Sequence, residues 1–207
     1  ATTRWWHTTS LPEVFGVQEA DENALYAAMD WLLERQGAIQ KKLAARHLAE
    51  GGLALYDLSS SYFEGRCCPL AKIGYSRDGK RNTLQVNYGL LTTRAGCPVA
   101  ISVYEGNTAD TSTLLPQVSQ LREDFGLKRL VLVGDRGMIS HKAIDTLRSL
   151  DGLEWVTALK SSQIRTLVQG GALQLDLFDE RNLFEFSHPD YPGERLMACR
   201  NVDLGKL

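Results

Sequence analysis

Two aspartates in this chain stand where apolar strands would least be expected to carry them. Val131-Leu-Val-Gly-Asp135-Arg136-Gly137 is an apolar run halted by an acid, and the earlier Leu53-Ala-Leu-Tyr-Asp57-Leu-Ser-Ser-Ser61 meets an acid in a similar way. Aspartate is depleted in strands, and burial of its charge is costly unless it is paired or metal-bound. If the two runs are parallel neighbours, both carboxylates emerge on one sheet edge, where their mutual repulsion favours a hard cation with oxygen ligands. Two Mg²⁺ ions roughly 3.5–4 Å apart could there clamp the attacking and leaving oxygens of a phosphodiester exchange. Strand-end aspartates also serve as turn formers and helix caps. Spacing alone leaves the two roles open.

The elements that must position these acids follow from periodicity. Residues 1–20 lack a clear repeat, whereas Leu25, Met29, Leu32, Leu33, Ile39, Leu43, Ala44 and Leu48 recur at helical steps, with Gly37 expected to separate two helices. Gly51-Gly52 closes this helical lead-in. Strands are expected over residues 53–58, 83–92 and 98–104, the last two forming a hairpin around Gly96. A helix carrying Leu114, Leu115, Val118, Leu121 and Phe125 follows, with residues 110–113 as candidate caps and Gly126 as its stop. The continuous apolar run at residues 130–133 reads as a strand buried on both faces, and residues 155–159 as a fifth strand after a helix capped by Ser140. Antiparallel hairpins followed by right-handed crossovers give a mixed five-stranded sheet flanked by helices, an α/β fold. Beyond Lys160 only two short extended runs stand out, residues 183–186 and 195–200, as a β-rich appendage.

Around the acids, residues 64–81 carry five basic side chains (Arg66, Lys72, Arg77, Lys80, Arg81) against Glu64 and Asp78, a local charge of +3. Such a loop can hold phosphates or be a solvated charged surface. Arg136 can pair with a carboxylate or a phosphate bidentately. Lys160, at the end of the fifth expected strand, is a further candidate for DNA contact. Asp110 can approach the acids, although a capping role in the helix that follows is favoured. The four histidines lack ligand spacing, and the tryptophans read as core or interface residues. A phosphatase with Asp57 as nucleophile would place a second aspartate two residues on, where Ser59 stands.

The net charge of −2 over 207 residues excludes a bulk polycation, so a nucleic acid would be met by a local patch. No apolar run approaches the ~20 residues needed to cross a bilayer, and no signal peptide is visible. Cys67, Cys68, Cys97 and Cys199 form no C-x-x-C pair, which indicates neither a zinc site nor a disulfide framework and suits a reducing cytoplasm.

Four motifs carry a resemblance: Tyr56-Asp57-Leu-Ser-Ser-Ser-Tyr-Phe-Glu-Gly65, Gly74-Tyr-Ser-Arg-Asp-Gly-Lys80, Glu105-Gly-Asn-Thr-Ala-Asp110 and Val133-Gly-Asp-Arg-Gly-Met138. Together, over about residues 25 to 201, the chain resembles insertion-sequence transposases of the DDE type. The resemblance implies a ribonuclease H-like fold, with Asp57 and Asp135 as the first two catalytic carboxylates binding Mg²⁺ or Mn²⁺. It implies double-stranded DNA (element ends and target) as partner, a homodimer on that DNA, and a place near the bacterial nucleoid in the cytoplasm. Arg66, Lys72, Lys80, Arg81, Arg136 and Lys160 become the expected DNA contacts. It divides the chain into a helical segment (1–50), a catalytic core (51–165) and a partial β-rich insertion (166–207). The family's third carboxylate is a glutamate on a later helix, in a pattern of Tyr, Arg three residues on, Glu four after that and Lys seven further. None of the seven tyrosines is followed by Arg at the third position, and Glu180, Glu185 and Glu194 fall in the expected insertion. The expectation is therefore a C-terminally truncated transposase with two of three acids. The alternative is a catalytically incomplete DNA-binding or subunit-interaction product of such a gene.

Overall fold

Alternation along one long strand builds the centre of the molecule. In the computed structural model, which describes residues 2–173 and 183–199, β1 runs Gly52–Phe63. Its even positions Ala54, Tyr56 and Leu58 are buried, so its odd positions Leu55, Asp57 and Ser59 point to the other face. On one side β1 pairs antiparallel with β3 (Leu84–Thr93) along its length, from Ala54↔Thr93 to Phe63↔Leu84. On the other side β5 (Leu130–Val133) pairs parallel to it only from Gly52↔Leu130 to Leu55↔Val133, and β6 (Leu153–Val156) lies parallel beyond β5. β4 (Pro98–Glu105) and the two-residue β2 (Lys72–Ile73) both pair with β3.

The sheet is thus mixed, as the ribonuclease H-like expectation required, but it has six strands rather than five. The extra one, β2, is a pair of residues inside the basic loop, too short for periodicity to reveal. β1 is also longer than residues 53–58, because β3 continues to pair with it after β5 has stopped. Asp57 therefore lies within the strand.

Helices α4 (Asp110–Ser119), extended by a π-helical turn Gln120–Asp124, and α5 (His141–Arg148) cover the even face of β1. Leu114, Val118, Leu121, Ala143, Ile144 and Leu147 pack there with Ala54, Tyr56, Leu58, Leu91, Leu130 and Leu132. Leu132, 1% exposed, holds β5 to this core. Leu132→Ala is expected to cost about 2–5 kcal/mol, read as a lower urea midpoint at unchanged m-value.

The N-terminal helices are α1 (Thr2–Trp6), α2 (Leu11–Phe15) and α3 (Glu22–His47). Asp21 caps α3 by accepting a hydrogen bond from the Ala24 N–H at 2.7 Å. The helix runs unbroken through Gly37, against expectation. A glycine costs about 1 kcal/mol inside a helix, and the 26-residue length of α3 absorbs that penalty. Its C-terminal half is fastened to β4, where the Gln36 and Gln40 amides donate to the Ile101 carbonyl at 2.8 and 3.0 Å. Of the tryptophans, Trp155 packs against the core, whereas Trp5 and Trp31 are exposed.

The chain divides into two compact units, Ala1–Thr157 and Ala158–Leu207. The second contains α6 (Ser161–Gln169) and an antiparallel hairpin of β7 (Leu183–Phe186) and β8 (Leu196–Cys199) around Leu167, Tyr191 and Leu196. The hairpin falls on the two expected extended runs. α6 had not been expected; it begins where the Gln163 side chain accepts from the Lys160 N–H at 2.9 Å. No helix among the described residues is long and apolar enough to cross a membrane.

Candidate metal and phosphate site

Parallel pairing of β1 and β5 determines how the two acids relate. Their last shared rung is Leu55↔Val133, and Asp57 and Asp135 each follow it by two residues. Both side chains are exposed. Asp57 is flanked by the buried Tyr56 and Leu58, so strand alternation turns it away from the core. Its Oδ1 accepts from the Leu58 N–H at 2.9 Å.

Asp135 shapes its own turn. Oδ1 accepts from the N–H groups of Gly137 and Met138 at 2.8 and 2.9 Å, and its carbonyl accepts from Met138 and Ile139 at 3.2 and 3.3 Å. Met138 and Ile139, both buried, then lock the turn to the core. The turn-forming and ligand roles are compatible, because Oδ1 serves the backbone and no hydrogen bond from the described residues reaches Oδ2 of either acid. That donor set suits Mg²⁺, which is commonly held by one or two carboxylates together with substrate phosphates. Among the described residues, no group of three or more His, Cys, Asp or Glu side chains is gathered closely enough to hold a metal ion.

Asp110 comes nearer than expected. It is the first residue of α4, whose N-cap Ala109 makes no side-chain bond, and its carboxylate is not spent on capping. Oδ1 instead accepts from Arg77 Nη2 at 2.7 Å. A Cβ on Gly137 would stand 3.7 Å from Asp110 Oδ2 and 3.2 and 3.4 Å from the two carboxylate oxygens of Asp135. The two carboxylates therefore flank one glycine. Sequence gave no sign of the Arg77–Asp110 pair, since 33 residues separate partners that only the fold brings together.

The Gly106-to-Asp110 turn is wedged in place. The Gly106 N–H donates to the Leu70 carbonyl at 3.0 Å, and the buried Asn87 amide donates to the carbonyls of Gly106 and Thr108 at 3.3 and 3.2 Å. A side chain on Gly74 would collide with the Gly106 carbonyl. Beneath the turn, burial pushes the Tyr56 phenol well above its usual range, and it stays a neutral neighbour of Asp110.

The basic residues are less concentrated. Arg66, Lys80 and Arg81 are exposed in the loop, and the Lys80 ammonium sits 4.3 Å above the Tyr62 ring. Lys72 is half-buried in β2. Arg136 is exposed next to Asp135. Lys160 belongs to the second unit, at the start of α6 rather than at the end of a strand, since β6 stops at Val156. Of the glutamates weighed as a third acid, Glu185 pairs with Arg195 at 2.8 Å and Glu180 lies outside the described residues.

Comparison with known proteins supplies a context. The family described as "Transposase DDE domain" matches residues 67–185. No curated protein matches the sequence. Among solved structures, the chain is similar to a piggyBac transposase synaptic complex with hairpin DNA, at 17% identity and a TM-score of 0.41, over 55% of this chain and 24% of that one. It is similar to a Mos1 transposase paired-end complex with the left transposon end, at 15% identity and a TM-score of 0.37, over 86% of this chain and 63% of the other. The Mos1 strand transfer complex gives 16% identity and a TM-score of 0.37, over 68% and 47% of the two chains. The chain thus spans less than two thirds of the length of each.

Proposed function

Because the chain belongs to the transposase DDE domain family, we propose that it serves metal-dependent phosphodiester cleavage and strand transfer of an insertion sequence, with Asp57 and Asp135 as catalytic and metal-holding carboxylates. The observation that carries this reading is the register: two exposed acids, one within β1 and one in the turn just past its parallel neighbour β5, each two residues beyond the last common rung.

Divalent ions, Mg²⁺ or Mn²⁺, would supply charge neutralisation at the scissile phosphate and an activated water or 3′-hydroxyl. The chain's own residues do the rest. Oδ2 of each acid is open to a ligand while Oδ1 is tied to backbone, so the carboxylates are held in orientation before any ion arrives. Arg66, Lys72, Lys80, Arg81 and Arg136 offer cations to the phosphodiester backbone of double-stranded DNA, element ends and target alike, and Lys160 extends that set. In-line displacement needs no covalent bond to the protein. The assignment of residues 1–50 as a helical segment, 51–165 as the catalytic core and 166–207 as a partial insertion belongs to the same proposal. So do a homodimer on DNA and a location at the bacterial nucleoid.

Cleavage of an end-labelled terminal-repeat duplex tests it, in Mg²⁺, in Mn²⁺ and in EDTA. Loss of one metal-holding acid removes several kcal/mol of transition-state stabilisation, so Asp57→Asn is expected to cleave at least about a hundred-fold more slowly. Equal cleavage by Asp57→Asn would reject the site. DNA binding by the wild-type protein without cleavage in either metal would favour the alternative, a DNA-binding or subunit-interaction protein without turnover.

A further inference from the structure

We infer that Arg77 is a phosphate-contacting residue of this site and that Asp110 is the positioning residue that holds it there; the inference rests on the transposase reading above. Arg77 is fixed at both ends. Its backbone N–H donates to Ser60 Oγ at 3.2 Å, and Ser60 is a buried residue of β1 on the face opposite to Asp57, the face that α4 covers. Its guanidinium donates to Asp110 Oδ1 at 2.7 Å, with the two side chains 22% and 36% exposed.

Asp110 in turn faces Asp135 across Gly137. A carboxylate beside a second carboxylate, and near a strand carrying a third, would repel an approaching phosphodiester. The guanidinium offsets the charge of Asp110 and leaves most of its five N–H donors for another acceptor. A planar fork held at one corner by a carboxylate and open at the others suits the oxygens of a phosphate group. The pair also explains why Asp110 does not cap α4: its carboxylate is committed across the loop, from α4 to the basic segment.

The test reads equilibrium binding in EDTA, so that it does not depend on cleavage. A fluorescein-labelled duplex of mixed sequence is titrated with the 207-residue chain over a range of KCl concentrations, and melting curves confirm that each variant is folded. Arg77→Ala is expected to make the slope of log K against log salt shallower by about one, the signature of one lost phosphate contact. Arg77→Lys keeps the slope, because the charge remains. Asp110→Asn is expected to weaken binding roughly three- to tenfold at unchanged slope, by releasing the Arg77 side chain from its held position. In the Arg77→Ala background, Asp110→Asn adds no further loss.

An unchanged slope in Arg77→Ala would overturn the phosphate contact. Tighter binding by Asp110→Asn, or an equal loss with and without Arg77, would overturn the positioning role. Failure of the wild-type protein to bind the duplex at all would overturn the transposase reading, and this inference with it.

Discussion

Asp135→Asn should lower metal-dependent strand cleavage by about a hundred-fold or more while lowering the melting temperature by only about 4–8 °C. The separation follows from two roles of one side chain, the turn that it closes and the metal that it is proposed to hold. Oδ1 accepts from Gly137 and Met138 and closes the turn after β5. An asparagine keeps an oxygen at that position, so both bonds survive in neutral form. Hydrogen bonds to a charged partner contribute about 1.5–3 kcal/mol and neutral ones about 0.5–1.5. A difference near 1 kcal/mol per bond, about 2 kcal/mol for the two, corresponds to roughly 4–8 °C for a chain of this size.

What asparagine cannot replace is the negative charge at Oδ2. Asp135→Ala removes both jobs: it leaves the two N–H groups unpaired and should be the less stable of the two variants by about 1–3 kcal/mol. Cleavage assays and thermal melts on both variants check the pair of outcomes. An Asn variant that cleaves like the wild type would reduce Asp135 to a turn former. An Asn variant that melts as low as the Ala variant would make the charge itself a structural requirement.

The acids were legible in the sequence because a strand interrupted by aspartate is a local anomaly. Their shared edge was legible as well, since a short continuous apolar run suggests a strand with parallel neighbours, although Val131 and Val133 are only half-buried and β5 is fully covered on one face alone. What a linear reading loses is anything settled by a partner. The extent of β1 depends on β3, which pairs with it as far as Phe63, so the end of its apolar run misplaces the end of the strand. Gly37 looked like a helix boundary because propensity is a weak prior, easily outweighed over a long helix. α6 offers only Ile164, Leu167 and Val168 at helical spacing, too few to rise above the turns around it. The Arg77–Asp110 bond has no sequence signature at all. Both residues already had adequate local roles, one as a solvated loop cation and one as a cap.

Gly106→Ala should be among the most damaging single methyl groups that the described part of this chain could gain, alongside Gly74→Ala, whose Cβ would collide with the Gly106 carbonyl from the other side. A Cβ there would collide with the backbone carbonyl of Gln85 and stand 2.7 Å from that of Lys72. Neither obstacle is the end of a flexible side chain; both are main-chain atoms of paired strands, since Lys72↔Gln85 is a rung between β2 and β3. Relief requires either that the 106–110 turn lift away or that this rung open. Overpacking of this kind costs about 1–3 kcal/mol and sometimes more, and the upper end applies when no side chain can yield. The melting temperature should fall by roughly 6–12 °C. Gly79→Ala is the matched control: its φ of 72° strains an alanine, but nothing lies within 4 Å of the added carbon, so it should lose only about 1–2 kcal/mol. The two variants also differ in kind. Lifting the 106–110 turn withdraws Asp110 from Arg77, so Gly106→Ala should share the weakened duplex binding of Asp110→Asn, whereas Gly79→Ala should not. If Gly106→Ala melts no lower than Gly79→Ala, the wedge between this turn and the β2–β3 edge does not hold Asp110 in place.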